Sequence, residues 1–374
     1  GTVHTLGACR VRTAVFLLLG LVRRIRPDVI LSGMAHLNFL ALLLRPLFPP
    51  NTRLLVRQNS AVSSTLAFDG LPWYSRWLYR FLYPRADRII CQSRAMAEDL
   101  AAELQIGKEQ IAVLANPVDF EGIGAAAPDA ALWSGIGPRL LAVGRLAREK
   151  GFVQRLEAFA LVRARYPDAE LTLVGSGTEE AALKSLRGKL GLEASVRFAG
   201  YVQQPYDFYA GASLFVLASR HEGLPNAVVE AAVAGLPIVA TPASGGVADL
   251  LRMLEGAWLA RESSASAIAE ALLEALNKLG PEQRFIRSFP LARRPEDSKS
   301  SWSDEFAFDS AIAAYERLID SICLQTGTHH AALVIPTLDR IAGAERHVMQ
   351  LARGLRNRGW RASVIALSGS GGPA

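Results

Sequence analysis

LFVLASRHEGLPNAVVEAAVAGLPIVAT, residues 214–241, is the segment whose pattern predicts the fold. Its apolar start, 214–218, predicts a buried strand, and a polar loop follows. Asn226 is placed to cap a helix over AVVEAAVA, because an asparagine side chain accepts a hydrogen bond from a first-turn amide. Gly235 and Pro237 end this helix and lead into a second strand. A strand, a helix and a strand in succession are typical of a parallel α/β sheet.

Two carboxylates stand eight residues apart in this segment, Glu222 in the loop and Glu230 in the helix. Carboxylate oxygens accept hydrogen bonds from hydroxyl groups, so the pair suits the recognition of a ribose or another sugar. Glu230 is flanked by valine and alanine, and a buried carboxylate without a partner is costly. The position of Glu230 therefore predicts that a ligand or a partner group forms hydrogen bonds with its carboxylate. The alternative is a surface glutamate and a helix-face glutamate without a function.

The same alternation of strand and helix recurs along the chain, which predicts an α/β fold with parallel sheets wrapped by helices. At 374 residues, the length favours two domains. We interpret the Gly-, Ala- and Pro-rich stretch 122–138 as the linker between them, and the charged stretch 284–301 as a second connection. The predicted domains are 1–135 plus 302–374, and 136–301. The predicted strands outside the opening segment are 2–6, 29–32, 53–57, 88–91, 111–114, 139–143, 170–174, 196–199, 331–336 and 361–367.

The C-terminal residues 331–367 have the pattern of an opening unit of an α/β domain: a strand, a helix over 343–358 and a second strand. The Gly- and Ser-rich tail 368–374 continues naturally into the predicted strand 2–6. This order predicts a circularly permuted chain. Chain termini that lie close together at a domain surface tolerate such a rearrangement.

Charge and composition restrict the partners. The net charge is +6 and the sequence pI is about 9.4; residues 1–60 contain eight arginines and one acid, Asp28. This bias fits nucleic acid, an anionic membrane or a phosphorylated substrate. The aromatic residues that line a single-strand nucleic-acid groove are missing there, so we expect no nucleic-acid partner. The aromatic segment 68–83 is interpreted as core or interdomain packing, with a membrane or acceptor surface as the alternative.

Cysteine usage and hydropathy bear on the compartment. Cys9, Cys91 and Cys323 are too few and too scattered for a disulfide framework or a zinc site, which indicates a reducing environment. The apolar run 15–22 lacks a signal-cleavage site and is shorter than the roughly 20 residues of a membrane span. We therefore expect a cytoplasmic protein that can touch the inner face of a membrane peripherally without crossing it.

Glycine-containing loops follow three of the predicted strands. In VGRLAREKG, residues 143–151, Arg145 and Lys150 are expected beyond the carboxyl end of a strand, where α/β sheets bind phosphates. Solvated surface charges are the alternative. We interpret VGSG, residues 174–177, as a tight turn, with a ligand contact as the alternative. The turn 244–246 is a further anion-tolerant turn at the same sheet edge.

Together, these motifs resemble those of retaining glycosyltransferase family 4. Residues 222–230 are similar to its Glu-x7-Glu motif, 144–151 to its GRL…EKG phosphate segment, and 241–246 to its ATxxGG turn. Residues 341–345, IAGAE, resemble the family's N-terminal GGAE loop, with Ala342 in place of the first glycine. Because that loop comes first in the family, the resemblance also implies the circular permutation.

The resemblance implies a GT-B fold, in which two Rossmann-like domains with parallel sheets face a central cleft. The donor would be a nucleotide-diphosphate sugar, in particular a UDP-sugar. Arg145 and Lys150 would neutralise the departing diphosphate, so that no metal and no other cofactor is required. Glu222 would hold the transferred sugar and Glu230 the ribose, and a same-face attack would retain the anomeric configuration. The further donor-side residues are Gly144, Tyr201, Val202, Gly223, Leu224, Pro225 and Gly343.

On the acceptor side the sequence departs from the family. Asn59 occupies a place where many relatives carry a histidine, and an amide hydrogen-bonds a sugar without shuttling a proton. His36 is expected to face the cleft, with a surface or packing role as the alternative. His221, beside the first glutamate of the pair, is a further donor-side candidate. His329 and His330 are interpreted as a linker or tag remnant rather than as metal ligands.

The predicted function is retaining, metal-independent transfer of a hexosyl or N-acetylhexosaminyl group in polysaccharide, lipopolysaccharide or other glycoconjugate biosynthesis. The basic, leucine-rich first domain favours a lipid-linked acceptor at a membrane surface, and a glycan acceptor is the alternative. The alternatives are another GT-B enzyme, such as a nucleotide-sugar epimerase or phosphorylase, and a non-catalytic nucleotide-sugar-binding protein. The charged residues of the motifs argue against the non-catalytic alternative; they are Arg145, Lys150, Glu222 and Glu230. Asn59, in place of a histidine, argues for it.

Overall fold

The computed structural model describes residues 2–7, 14–68, 74–133, 136–279, 301–323, 329–338 and 343–368. The chain folds into two compact units. Unit 1 comprises Gly1–Pro117 and Glu305–Ala374, and unit 2 comprises Val118–Asp304.

Strands and helices alternate in both units. The strands are β1 (Thr2–Thr5), β2 (Val29–Ser32), β3 (Arg53–Arg57), β4 (Arg88–Cys91), β5 (Ile111–Val113), β6 (Arg139–Val143), β7 (Glu170–Val174), β8 (Val196–Gly200), β9 (Leu214–Leu217), β10 (Ile238–Ala240), β11 (Ala257–Leu259), β12 (His330–Thr337) and β13 (Arg361–Ser368). The helices are α1 (Val15–Ile25), α2 (Ala35–Leu44), α3 (Val62–Phe68), α4 (Ser75–Leu82), α5 (Arg94–Leu104), α6 (Phe120–Ala125), α7 (Phe152–Arg165), α8 (Glu180–Lys189), α9 (Tyr206–Gly211), α10 (Asn226–Val233), α11 (Gly245–Arg252), α12 (Ala265–Lys278), α13 (Ser301–Asp304), α14 (Phe308–Asp320) and α15 (Gly343–Asn357).

Unit 1 contains a seven-stranded sheet in the order β1-β13-β12-β2-β3-β4-β5, and all of its neighbouring strands are parallel. The C-terminal strands β12 and β13 therefore lie inside the sheet, between β1 and β2. Val334 of β12, for example, is in register with Ile365 of β13 and with Ser32 of β2. The tail 369–374, which we expected to lead towards β1, lies outside the described residues.

Helices cover both faces of this sheet. Successive side chains of a strand point to opposite faces, so Ile30 packs in one core and its neighbours Val29 and Leu31 pack in the other. The first core is completed by α1, α2, α4 and α5, and the second by α14 and α15.

Unit 2 contains a six-stranded parallel sheet in the order β11-β10-β9-β6-β7-β8. The chain begins this sheet at β6, continues outward through β7 and β8, and returns to the other side of β6 with β9. Between β6 and β9 the direction of winding therefore reverses. In α/β sheets, ligands bind beyond the carboxyl ends of the strands at such a switch point.

The predicted linker 122–138 proved to be partly helical. Its first residues belong to α6, which packs against α9 and α10 of unit 2, and the boundary between the units falls earlier, after Pro117. Asp119 caps this helix by accepting a hydrogen bond from the amide of Gly122 at 2.8 Å. The predicted second connection lies outside the described residues, apart from its last residue.

The interpretation of His329 and His330 as a linker or tag remnant was wrong. Both side chains are buried, and His330 begins β12, where its Nε2 lies 2.8 Å from the hydroxyl of Ser363 on β13. His329 Nε2 lies 3.1 Å from Asp320 Oδ1, and its ring packs on Trp360. Two adjacent polar residues look like a linker in a sequence, but these have partners supplied by distant elements.

The predicted N-cap role of Asn226 was also wrong. Asn226 is the first residue of α10, so Pro225 occupies the N-cap position. The backbone of Pro225 is extended, and its side chain accepts no capping hydrogen bond. The C-terminal end agrees with the prediction, since Gly235 follows α10 with a φ of +72°.

Candidate functional site

Three loops of unit 2 meet beyond the carboxyl ends of β6, β9 and β10. The amide of Arg220, after β9, donates to the carbonyl of Glu149, after β6, at 2.9 Å. The amide of Glu222 donates to the carbonyl of Ala243, after β10, at 3.1 Å, and the hydroxyl of Ser244 donates to the carbonyl of Gly223. The three sequence motifs are thus joined by hydrogen bonds to the backbone at one edge of the sheet.

Glycines allow these loops to pack closely. Gly175 has a φ of +138°, and a Cβ at this position would overlap the carbonyl oxygen of Gly144. Gly151 has a φ of +64°, and its Cβ would overlap the carbonyl oxygen of Ala218. The VGSG stretch therefore has a structural function, as its tight-turn interpretation predicted: it lets the turn after β7 approach the turn after β6.

Lys150 and Glu222 form an ion pair at this edge, with 2.5 Å between Nζ and Oε1. The side chain of Glu222 is only 10% exposed and that of Lys150 24% exposed. The hydroxyl of Ser219 donates to the same carboxylate oxygen at 2.8 Å. A partly buried cation therefore stands beside a carboxylate in a loop whose backbone is fixed from two sides.

A second cation, Arg155, lies beneath this pair on α7. It is 3% exposed, its guanidinium carbon lies 4.2 Å from the ring centroid of Phe152, and its Nη2 is 3.4 Å from the carbonyl oxygen of Lys150. Nε and Nη1 have no hydrogen-bond partner among the described residues. Burial lowers the pKa of Arg155 to about 9, and the charge of Glu222 opposes that shift. The sequence pattern gave no indication of Arg155, because its position is typical of the buried face of an amphipathic helix.

Glu230 is buried on α10 and has a protein partner. The hydroxyl of Tyr209, on α9, donates to its Oε2 at 2.9 Å. The expectation that a buried Glu230 requires a ligand or a partner is thus met by a phenol hydroxyl within the fold. Sequence reasoning missed Tyr209 because it assigned no helix to 206–211.

The other donor-side residues differ in exposure. Arg145 is largely exposed and pairs with Glu149 at 2.5 Å, whereas His221 and Leu224 are buried next to Glu222 in the loop after β9. The amide of Gly144 donates to the carbonyl of Val174 at 2.9 Å. Tyr201 follows β8 and is 51% exposed, and Val202 is partly buried.

The remaining candidates, Asn59, His36 and Gly343, lie in unit 1. Both ends of the Asn59 amide are engaged: Oδ1 accepts from Arg57 Nη1, and Nδ2 donates to the carbonyl of Gly33. His36 is exposed on α2, and Gly343 is the first residue of α15. Ile341 and Ala342, from the segment resembling the GGAE loop, lie outside the described residues.

A buried polar cluster in unit 1 was not foreseen from the sequence. Arg57 Nη2 donates to Asn116 Oδ1 at 2.5 Å, and the hydroxyl of Tyr315 lies 3.2 Å from Nε2 of His347. Burial, followed by the charge of Arg57, lowers the pKa of His347 well below its ordinary value. His347 therefore remains neutral at physiological pH.

Two features of the described residues bear on metals and membranes. Within the described ranges, no three His, Cys, Asp or Glu side chains are grouped so that they could hold a metal ion. Among the helices that the structure describes, none is both long enough and apolar enough to span a bilayer.

Known families and relatives cover most of the chain. A model described as Glycosyltransferase Family 4 matches residues 5–121, and one described as Glycosyl transferases group 1 matches residues 132–288. The chain is 30% identical over 217 residues to the N-acetylgalactosamine-N,N'-diacetylbacillosaminyl-diphospho-undecaprenol 4-alpha-N-acetylgalactosaminyltransferase of Campylobacter jejuni, which covers 57% of each protein. It is 34% identical over 167 residues to the lipopolysaccharide core biosynthesis glycosyltransferase LpsE of Rhizobium meliloti, covering 44% of this chain and 46% of LpsE. The chain thus spans about half the length of these curated relatives.

Solved structures share the fold. Sucrose-phosphate synthase from Thermosynechococcus elongatus superposes with a TM-score of 0.70 at 19% identity, over 83% of this chain and 77% of that one. Anabaena HepE in complex with UDP and glucose gives a TM-score of 0.65 at 17% identity, over 84% and 82%. The fold is therefore α/β with parallel sheets and GT-B glycosyltransferases as its structural neighbours. Residues 5–121 and 132–288 are thus each similar to a glycosyltransferase family.

Proposed function

We propose that this chain is a retaining glycosyltransferase that moves a hexosyl or N-acetylhexosaminyl group from a nucleotide-diphosphate sugar, in particular a UDP-sugar, to a glycan or lipid-linked acceptor. The observation that carries the proposal is the convergence of the three motif loops at the switch point of the second sheet. The matched families, and relatives whose names include lipopolysaccharide core biosynthesis and an undecaprenol-linked substrate, support polysaccharide or glycoconjugate biosynthesis.

Lys150 and Arg145 are the groups that meet the diphosphate. Each is paired with a nearby glutamate, Lys150 with Glu222 and Arg145 with Glu149. A doubly charged diphosphate competes for both cations, and its arrival frees the carboxylate of Glu222 to accept hydrogen bonds from sugar hydroxyls. As the bond to the sugar breaks, the two cations stabilise the charge that develops on the departing diphosphate, a task that requires no metal or other cofactor.

The remaining roles follow from position in the same unit. Glu230, already oriented by Tyr209, accepts hydrogen bonds from the ribose hydroxyls, and the base contacts Tyr201 and Val202 after β8. The acceptor hydroxyl attacks from the face that the diphosphate leaves and gives its proton to the departing phosphate oxygen as the bond between that oxygen and the sugar breaks, which retains the anomeric configuration. Asn59 orients the acceptor as a hydrogen-bonding amide and carries no proton.

Circular permutation belongs to the same proposal. In the related family the GGAE-type loop comes first, whereas here the resembling segment leads into α15, near the end of the sequence. The support is the strand order β1-β13-β12-β2, in which the last two strands of the chain lie between its first two. We place the protein in the cytoplasm, at the inner face of the membrane, where a lipid-linked acceptor is available.

The test is transfer of radiolabelled sugar by Lys150→Ala, with nucleotide diphosphate release measured in parallel. Loss of one positive charge at the leaving group is expected to lower the rate by about 100-fold or more. Lys184→Ala is the matched control, because Lys184 is an exposed lysine of the same unit that pairs with Glu180 within α8. Turnover that is equal in the two variants contradicts the role of Lys150.

Product analysis separates the alternatives. NMR of the product should show the anomeric configuration of the donor, and EDTA should leave the rate unchanged. An isomerised donor without transfer indicates an epimerase, and sugar phosphate formed in the presence of inorganic phosphate indicates a phosphorylase. A nucleotide sugar that raises the thermal midpoint without any turnover indicates a non-catalytic binding protein.

A further inference from the structure

Exposed apolar side chains in unit 1 are concentrated on one helical layer. α1 packs on α2, and α2 packs on α4, so the three helices form a continuous layer on one face of the sheet. This layer and the single turn after α2 expose Phe16, Leu17, Leu43, Leu47, Tyr74, Trp77 and Phe81, each at least 47% accessible to solvent. Within the described residues, neither α14 nor α15, on the opposite face, exposes a large hydrophobic side chain. An apolar patch restricted to one face is typical of an interaction surface.

Helix α4 shows this asymmetry within one element. Its inner residues Tyr79 and Leu82 are buried in the core, whereas Trp77 and Phe81 point outward one turn apart. The outward rings lie against each other, with 3.9 Å between their centroids. Side chains that were needed only for packing would face the sheet, so the aromatic segment has both a core side and an exposed side.

The same layer is positively charged. Residues 14–87, which include the three helices, contain nine arginines, no lysine and three acids, Asp28, Asp69 and Asp87. Arg76 pairs with Glu103 of α5 at 3.4 Å. Asp87 is engaged by Arg45 and Arg53, and Asp28 accepts a hydrogen bond from the amide of His330. The exposed arginines on and beside these helices are Arg23, Arg24, Arg26, Arg76, Arg80 and Arg85.

We infer that this layer docks on an anionic lipid surface, with Trp77 and Phe81 entering the headgroup region and the arginines contacting lipid phosphates. Tryptophan is enriched at membrane interfaces because its ring has an apolar body and a polar N–H. Helices that combine an apolar aromatic face with basic residues bind at that interface and need no spanning segment. Arginine also forms paired hydrogen bonds with phosphate oxygens, which lysine cannot do.

Charge complementarity favours a lipid surface over a second copy of this chain. Two copies joined through this layer would bring two sets of arginines together, and like charges across an interface are unfavourable. An anionic bilayer instead supplies phosphate to every exposed arginine. The docking surface itself is inferred from the exposed side chains and charges of unit 1. The proposed function is needed only to explain why membrane binding is useful, because a lipid-linked acceptor lies in the membrane.

The experiment is co-sedimentation of the full chain with two kinds of vesicle. One consists of phosphatidylcholine alone, and the other of phosphatidylcholine mixed with about one third phosphatidylglycerol. Binding is expected only with the anionic lipid and is expected to weaken at high salt. Trp77→Ala/Phe81→Ala should reduce the affinity at least tenfold. Arg80→Gln/Arg85→Gln should reduce it about 30-fold, since each arginine near the surface contributes roughly one kcal/mol.

The matched control is Arg353→Gln/Arg356→Gln, which removes two exposed arginines from α15 on the opposite face of unit 1. Binding that is absent, or that falls equally in this control, overturns the assignment of the face. A dimer in ultracentrifugation that Trp77→Ala/Phe81→Ala converts to a monomer also overturns it, in favour of self-association. Transfer to a water-soluble acceptor should be unchanged in the α4 variants, so failure of the docking surface and failure of the proposed transferase are separable.

Discussion

At the scale of single residues, the candidate site is defined by how charge is compensated. Lys150 and Glu222 neutralise each other at 2.5 Å, and Glu230 is held by a neutral phenol. Arg155 is different, because two of its guanidinium nitrogens lack partners among the described residues. Its charge adds to that of Lys150 beside Glu222, which makes the region electropositive before any ligand binds.

Replacing Arg155 by methionine should separate stability from activity. The change removes a buried charge that is incompletely paired, which is costly to keep out of water, and retains much of the side-chain volume, so the thermal midpoint should be unchanged or higher. If the proposed transferase function holds, turnover should fall about tenfold, because Glu222 loses a neighbouring positive charge. Arg155→Lys, which keeps the charge, should recover most of that rate. A lower thermal midpoint in Arg155→Met would show instead that Arg155 is needed for packing.

His347 should make unit 1 sensitive to acid. Its pKa is lowered well below 6.5 in the folded state, by burial first and by the charge of Arg57 second. The unfolded chain binds a proton near pH 6.5, so below that pH the unfolded state holds more protons and stability falls. The loss contributed by this residue is at most about 1.4 kcal/mol per pH unit. His347→Gln should flatten the dependence of the thermal midpoint on pH between about 7 and 5, and curves parallel to the wild type would contradict this.

At the scale of elements, loops that follow adjacent strands build the site, and glycines set their spacing. Gly144 and Gly175 both look like phosphate-loop glycines in the sequence, yet their surroundings differ. A Cβ on Gly175 would overlap the backbone, whereas a Cβ on Gly144 meets no atom within 4 Å. Gly175 is therefore required by packing, and Gly144 is free to serve a ligand.

The two alanine variants should behave differently. Gly175→Ala should lower the free energy of unfolding by about 2–3 kcal/mol, through its positive φ and the overlap with the neighbouring turn. Gly144→Ala should leave the thermal midpoint nearly unchanged but reduce the shift that a UDP-sugar produces, because a methyl group obstructs the approach of phosphate. Equal losses of stability in the two variants would contradict this division of roles.

At the scale of the whole molecule, the first sheet is completed by residues from both ends of the sequence. β12 and β13 supply part of both hydrophobic cores of unit 1, including Val334, Leu333 and Ile365. Without them, β1 would be separated from β2 and both cores would be open. The folding of unit 1 therefore depends on long-range pairing, with a register that joins Ala332 to Ile30.

A rearranged chain tests the proposed permutation. It would begin at His329, run through Ser368, and continue through a new connector into Thr2. Because β13 and β1 are parallel neighbours, this connector needs about a dozen residues or more. We expect a thermal midpoint within a few degrees of the original, since every strand pair is kept. Deleting 329–368 is the contrasting variant, and it should abolish amide protection in unit 1 while protection in unit 2 persists.

Much of the architecture was predictable because it depends on local patterns. The bounds of β2, β3, β4, β6 and β7 coincide with the predicted strands, since buried parallel strands are continuous apolar runs. Short elements such as α9 and β11 were missed, because three to six residues give too little periodicity. Asn226 shows the related limit at helix ends, where the cap depends on backbone angles that the residue type alone does not determine.

Local sequence patterns were enough to predict the alternation of strands and helices, the positions of the motif loops and the presence of two carboxylates and two cations in those motifs. These features depend on residues close together in the chain. Other features became apparent in the folded chain alone. Lys150 pairs with Glu222, and Tyr209 donates a hydrogen bond to Glu230. Arg155 is buried next to the site, and Trp77 lies on the exposed side of α4. Each of these contacts joins elements, or assigns a helix face, through the packing of the sheet. Which side chains share a buried space is set by the fold as a whole, because spacing along the chain does not specify distance across it.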